Sequence, residues 1–196
     1  MNFLGGNMKY VLASASERRM ELLKRIITDF EVRVSDFNEE EVEFNGNLNS
    51  YVEELAEKKG EAILDSVTED SIIISADTIV SYDNNVLGKP KDEEDAFKML
   101  KSLSGNVHKV YSGVSVYNTK TAERITVSLS TEVKFSTLTD AKIREYIKSK
   151  EPLDKAGAYG IQGLGGVFVE EIHGCYYNVV GLPLNKVAQI LEEIIK

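Results

Sequence analysis

Cysteine is almost absent from this chain: Cys175 is the single thiol in 196 residues. No intrachain disulfide can form, and a reducing interior suits such usage. Cys175 lies in a strand-like Gly-Cys-Tyr-Tyr run and reads as a small core or rim residue rather than a redox centre. Positive charge is also short. Against 32 acidic residues stand 23 lysines and arginines, a formal net charge of −9. That balance disfavours a nucleic-acid partner, because a phosphate-tracking face needs clustered Lys and Arg. A small anionic ligand stays compatible where basic residues converge. No apolar run approaches the about 20 residues of a membrane-spanning helix. Ala13-Ser14-Ala15 has the small residues of a signal-cleavage site, but the apolar stretch before it, Tyr10 to Ala13, is too short to serve one. A cytoplasmic location with no membrane partner is expected. Both histidines, His108 and His173, are placed at strand edges, and neither has a Cys or His partner at zinc spacing. The G-x-x-x-x-G-K-[ST] phosphate loop and the G-x-S-x-G elbow are missing.

The remaining composition is that of an ordinary folded chain, 42% apolar and 28% charged, with enough length for one sizeable core and room for two lobes. Met1 to Asn7, with Gly5-Gly6, reads as a loose leader, and Met8 is an alternative start. Helical periodicity is expected over 17–27, over 51–64 with Asn49 or Ser50 as cap, over 92–101, over 140–148 with Thr139 as cap, and over 184–195. Strands are expected over 10–13, 30–34, 72–76 running into 78–81, 109–117, 123–135 and 166–172, with a hairpin-like turn at Asp83 to Asn85. Helices alternate with strands, but hairpins occur as well. The expected fold class is therefore α/β, a mixed sheet flanked by helices.

One run stands apart: Asp154-Lys155-Ala156-Gly157-Ala158-Tyr159-Gly160-Ile161-Gln162-Gly163. A buried strand wants branched apolar side chains, and this run has almost none. Small residues let a backbone approach a ligand, with Tyr159 offering a flat face and Gln162 an amide that can read a nucleobase edge. A tight loop between strands is the plainer reading.

Four weaker signals accompany it. Ser14-Ala15-Ser16-Glu17-Arg18-Arg19 lies at a strand-to-helix junction, where free N–H groups, hydroxyls and two arginines could hold phosphate oxygens; a serine cap followed by exposed arginines would look the same. Ser75-Ala76-Asp77-Thr78 ends an apolar strand on a carboxylate, a place from which an acid can hold a metal or take a proton from water; many strands simply end on a turn-forming Asp. Gly88-Lys89-Pro90 aims Lys89 from a stiffened turn, and Lys59 follows on a helix face, although surface lysines are common in both settings. Glu39-Glu40-Glu41 is ordinarily a solvated loop; beside phosphates, one or two of its carboxylates could help hold Mg²⁺.

In this order the motifs resemble those of the Maf family of nucleoside triphosphate pyrophosphatases. The resemblance runs from Val11 to Leu184 and rests on S-x-S-x-R-R at 14–19, A-D-T at 76–78, G-K-P at 88–90, L-S-G-x-x-H at 103–108, E-P-L-D-K-A-G-A-Y-G-I-Q-G at 151–163 and N-V-V-G-L-P at 178–183. It implies one Maf-like domain over 8–196, elongated, with a cleft between two lobes, similar to the inosine triphosphate pyrophosphatases. It implies hydrolysis of a nucleoside triphosphate to the monophosphate and pyrophosphate with Mg²⁺ or Mn²⁺. The run around Gln162 looks like the subfamily acting on dTTP and UTP. By the same resemblance Asp77 is the proton acceptor and shares a metal with Glu39. Ser14, Arg18, Lys59 and Lys89 meet the phosphates, and Arg19, Thr78 and Gln162 select the base. A homodimer is left open. Two alternatives stand beside this reading: a pyrophosphatase for 7-methyl-GTP or another modified nucleotide, and a nucleotide-sensing regulator of septum formation with little turnover. One departure is visible. Glu17 stands where the family usually has Pro, which removes a rigid first helical residue and adds a carboxylate near the phosphates.

Overall fold

Tyr10 to Ala13 carry no charged side chain, as suits a strand buried on both faces. In the computed structural model, which describes residues 8–196, they form β1 (Lys9–Ala13). The leader expected over residues 1–7 lies outside the described residues. β1 pairs in parallel with β3 (Ser71–Tyr82), Val11 opposite Ile73, and with the short strand β2 (Glu31–Val32). The sheet order is β2-β1-β3-β5-β6-β7, with β5 at Val107–Asn118, β6 at Glu123–Phe135 and β7 at Val169–His173. A further strand, β4 (Asn85–Leu87), pairs antiparallel with β3. Among the described residues the sheet is thus mixed and has seven strands, with helices α1 (Glu17–Leu23), α2 (Leu48–Glu61), α3 (Glu93–Leu103), α4 (Asp140–Lys148), α5 (Tyr176–Val180) and α6 (Leu184–Ile194).

Several boundaries differ from expectation for local reasons. β2 has two residues rather than five because both are exposed at the sheet edge, so no core face extends it. α1 stops at Leu23, and Ile26 and Ile27 reach the core from a turn. α2 starts three residues early: Asn47, not Asn49 or Ser50, caps it by accepting from the N–H groups of Asn49 and Ser50 at 3.0 and 3.2 Å. β7 begins at Val169 because Leu164–Phe168 coils into a 3₁₀ turn. Cys175 is not in a strand; it leads into α5, with its N–H donated to Thr131 Oγ1 at 3.1 Å. The most consequential difference is β3. It is one unbroken strand of 12 residues, so Asp77 lies in its middle, not at its end.

The described chain divides into two compact units, one comprising residues 8–77 with 112–129 and 181–196, the other 78–111 with 130–180. In the first unit, α2 lies directly on the sheet. A Cβ on Gly113 would fall 2.0 Å from the Val52 carbonyl oxygen, and one on Gly60 would fall 2.9 Å from Ser75 Oγ. Ser75 Oγ in turn donates to the Ala56 carbonyl at 2.6 Å. α6 turns Val187, Ile190, Leu191 and Ile194 inward.

The second unit has an aromatic core. Phe135 meets His108, Tyr159 and Phe168 edge-on, with ring centroids 4.9, 4.7 and 6.0 Å away, a geometry that suits ring quadrupoles. The β3–β4 hairpin turns through Asp83 and Asn84, both at positive φ, as a two-residue turn of this hand requires. Thr139 caps α4 as expected, accepting from the Lys142 N–H at 3.3 Å.

Candidate active site

A carboxylate buried inside a β-strand has no water, turn or helix end to solvate it, so it must find a cation or stay neutral. Asp77 finds Lys59. The Asp77 side chain is 7% exposed and that of Lys59 14%, and the two form a short ion pair. The pairing follows from how α2 is seated. Gly60 lets the last turn of α2 close onto Ser75, two residues before Asp77 on β3, and Lys59 precedes Gly60. A second carboxylate joins from the 3₁₀ turn Glu39–Glu41, which Asn38 caps through the Glu40 N–H. Glu39 Oε1 lies 2.8 Å from Lys59 Nζ and remains 53% exposed. One ammonium thus bridges two carboxylates, one buried and one open to water.

The Ser14–Arg19 junction belongs to the same unit. Ser16 caps α1 by accepting from the Arg19 N–H at 3.4 Å, and Ser14 Oγ accepts from the Ser16 N–H at 3.2 Å. The helix therefore starts at Glu17 without a Pro, because the Ser16 side chain supplies the start. Arg19 Nη1 donates to Ser14 Oγ at 3.4 Å and Nε to the Gly181 carbonyl at 2.9 Å. Loss of water around the Arg19 guanidinium lowers its pKa from the ordinary arginine value; Asp77 opposes this, Arg18 adds to it, and Glu39 opposes it weakly. Arginine stays charged through any such shift. Ser14, Arg18, Arg19, Glu39, Lys59 and Asp77 are in this way one electrostatic cluster.

Tyr51 is the residue that sequence reasoning missed. It stands two turns before Lys59 on α2, half-buried, and its pKa is raised by burial first, then by Asp77 and Glu39. The signal was available as helical spacing, since positions eight apart share a face.

Thr78, Lys89 and Gln162 belong to the second unit. Thr78 follows Asp77 on β3 and is half-buried. Lys89 is exposed on the loop after β4, and Gln162 is exposed in a turn that the Gly163 N–H closes onto the Gly160 carbonyl at 3.2 Å. The loops carrying these two residues are tied together, because the Gly157 N–H donates to the Gly88 carbonyl at 3.1 Å. Gly157 takes φ +67, and a Cβ there would sit 2.8 Å from Val80.

Two expectations for this run are corrected. Tyr159 is no flat face for a ligand. It is buried, and its hydroxyl is 2.8 Å from His108 Nε2. His108 is likewise inside the core rather than at a strand edge, and burial brings its pKa down to about 4. Nor do the glycines leave room for a ligand. A Cβ on Gly163 would fall 2.4 Å from the Glu151 carboxylate, and one on Gly165 would fall 2.6 Å from Tyr146 Oη. The small residues make space for the protein's own side chains.

The carboxylates present suit a hard divalent cation of the Mg²⁺ type. Among the described residues no group of three or more His, Cys, Asp or Glu side chains assembles. Such an ion needs only one or two carboxylates when substrate phosphates and water complete its shell. Glu39 and Asp77, already converging on one ammonium, supply that number.

The model of the family described as Maf-like protein matches residues 9–194. The chain belongs to the Maf family. It is 63% identical over 187 residues to a Clostridium novyi protein named dTTP/UTP pyrophosphatase, covering 95% of this chain and 98% of that one. A protein of the same name from Clostridium botulinum is 62% identical over 188 residues, covering 96% of this chain and all of that one, 100%. Another from Clostridium tetani is 56% identical over 189 residues, covering 95% and 98%. Among solved structures, a nucleoside-triphosphatase, or dITP/XTP pyrophosphatase, from Mycobacterium abscessus overlaps 95% of this Maf chain and 97% of its own, at 12% identity and a TM-score of 0.45; an overlap that loose carries no argument. No helix among the described residues of this Maf chain is long and apolar enough to cross a membrane.

Proposed function

We propose that this Maf protein is a nucleoside triphosphate pyrophosphatase acting on dTTP and UTP, releasing the monophosphate and pyrophosphate. The observation that carries the chemistry is the Asp77–Lys59–Glu39 cluster: a buried carboxylate held at a fixed point by a lysine that has a second, water-exposed partner. The substrate class rests on the relatives named dTTP/UTP pyrophosphatase, 56–63% identical over nearly the whole chain. Neither the 7-methyl-GTP reading nor the low-turnover regulator is favoured beside those relatives.

Each residue then has a job that its chemistry permits. Arg18, Lys59 and Lys89 offset the charge of the triphosphate, with Ser14 donating from its hydroxyl. Lys59 can exchange a carboxylate oxygen for a phosphate oxygen, since its Glu39 contact is exposed. Asp77 takes the proton of the attacking water. Arg19, Thr78 and Gln162 select the base, the amide of Gln162 pairing with a pyrimidine edge. Glu39 and Asp77 would hold Mg²⁺ or Mn²⁺, which supplies charge stabilisation on the leaving pyrophosphate. A cytoplasmic setting suits the lone thiol of Cys175.

The test is a panel of triphosphates assayed for pyrophosphate release with Mg²⁺ and with Mn²⁺, the products separated by chromatography. dTMP and UMP are expected, with dTTP and UTP turned over fastest. dTDP as the first product would overturn the reaction, and a purine triphosphate turned over fastest would overturn the substrate assignment.

A further inference from the structure

Gln162 is exposed, and an amide on a wandering loop selects poorly. Selection needs a donor and an acceptor held in one orientation. Something must hold the loop, and within the second unit Glu151 does. Its Oε1 accepts from the Tyr146 hydroxyl at 2.8 Å and from the Gly165 N–H at 3.2 Å, and its Oε2 accepts from the Leu164 N–H at 2.9 Å. The Tyr146 hydroxyl also accepts from the Gly160 N–H at 3.3 Å. The Glu151 backbone carbonyl accepts from Lys155 Nζ at 2.9 Å. Both ends of the segment from Gly160 to Gly165 are therefore tied to one carboxylate, directly or through one hydroxyl, and Gln162 sits between them.

The glycines show how tightly the segment is wrapped. A Cβ on Gly160 would meet Lys155 Cε at 2.7 Å, one on Gly163 would meet Glu151 Oε1 at 2.4 Å, and one on Gly165 would meet Tyr146 Oη at 2.6 Å. The network is anchored below as well, since Tyr146 packs edge-on against Phe168 with centroids 5.0 Å apart. Desolvation would raise the Glu151 pKa, but the Leu164 N–H, the Tyr146 hydroxyl and the Gly165 N–H outweigh it and hold the group below the usual carboxylate value. An ionised carboxylate is the stronger acceptor for these donors.

We propose that Glu151 is a positioning residue for pyrimidine selection: its carboxylate clamps the Gly160–Gly165 segment so that Gln162 presents its amide in one orientation. The proposal rests on the base-reading role of Gln162 given above. It differs from a purely structural role, because the loop could be lost from its pose while the aromatic core below stays folded.

A double-mutant cycle tests it, with the ratio of kcat/KM for dTTP to that for dATP as the readout and thermal melts alongside. The proteins are wild type, Glu151→Gln, Gln162→Ala and the double variant. Glu151→Gln should lower the ratio about tenfold, the size of one buried hydrogen-bonding group mispaired. In the Gln162→Ala background the same change should add nothing, because the two residues act as one unit. Tyr146→Phe is the milder variant should Glu151→Gln fold poorly. It removes both bonds of that hydroxyl, to Glu151 and from Gly160, and keeps the two backbone bonds to Glu151, so the ratio should fall by less, about threefold. A wild-type enzyme without dTTP preference, or a Gln162→Ala enzyme with the wild-type ratio, would overturn the base-reading role itself. A selective wild type and an impaired Gln162→Ala, with Glu151→Gln and Tyr146→Phe unchanged in ratio or additive with Gln162→Ala, would overturn the positioning role alone.

Discussion

Replacing Asp77 by Asn removes a charge and a base while keeping the size of the side chain and one acceptor oxygen. The stability cost can be worked from the pair. Breaking a buried ion pair by removing one partner costs about 3–5 kcal/mol, because the other charge is left unpaired out of water. Asp77→Asn does not leave Lys59 unpaired: Glu39 stays 2.8 Å away and is 53% exposed. An ion pair open to water contributes little by itself but spares the lysine the full penalty, so we expect about 1–2 kcal/mol. For a chain of this size that is a fall in Tm of about 2–8 °C. Lys59→Met is the harsher change, because it leaves the deeper group, Asp77 at 7% exposure, without its lysine. Arg19, which also feels the Asp77 charge, softens the loss toward the low end, about 3 kcal/mol and about 6–12 °C. Activity should rank the other way for kcat. Losing the proton acceptor should lower kcat at least about a hundredfold in Asp77→Asn, whereas Lys59→Met should act in good part through KM. Thermal melts and steady-state kinetics with dTTP on the two variants decide it. If Asp77→Asn is the less stable of the two, the burial argument fails. If it keeps more than about a tenth of wild-type kcat, well outside the range for general-base loss, the proton acceptor lies elsewhere.

Three further outcomes are expected. His108, brought down to about 4 in the folded state by burial, binds its proton more readily when unfolded, near the ordinary value of about 6.5; its share of stability is full above that value and is lost as pH falls toward 4, by up to about 3 kcal/mol. Chemical denaturation of wild type and His108→Gln between pH 4 and 7 should therefore show a shallower acid decline in the variant, and parallel curves would refute the buried neutral imidazole. Gly113→Ala drives a Cβ into the Val52 carbonyl, where no side chain can move aside; its Tm should fall by at least about 5 °C for a cost above about 2 kcal/mol, while Gly88→Ala, with nothing within 4 Å of the added atom, should stay within about 0.5 kcal/mol. Arg19→Ala should raise the KM for dTTP by about 10–100-fold, the worth of a charge-assisted hydrogen bond, with a smaller change in kcat; an unchanged KM would remove Arg19 from the binding surface.

Much of this protein was legible from residue order. Continuous apolar runs announced β1 and the first half of β3, because strands buried on both faces admit little else. Thr139 marked the start of α4, because capping is chemistry within a few residues. The spaced motifs identified the family, since many ordered short matches seldom coincide by chance. What local chemistry could not disclose was which groups pay for one another across the fold. Asp77 read as the end of a strand because a carboxylate is unwelcome inside one; the strand runs through it only because Lys59 arrives from α2, 18 residues earlier. Lys59 itself read as an ordinary surface lysine, since nothing beside it in the sequence says that Gly60 and Gly113 let its helix settle onto the sheet. Tyr159 and the glycines around Gln162 read as a ligand platform, because small residues look the same whether a nucleotide or the protein's own Glu151 fills the space they leave. Periodicity and capping are written in neighbouring residues, whereas burial, charge pairing and the occupant of a gap depend on partners that only folding brings together.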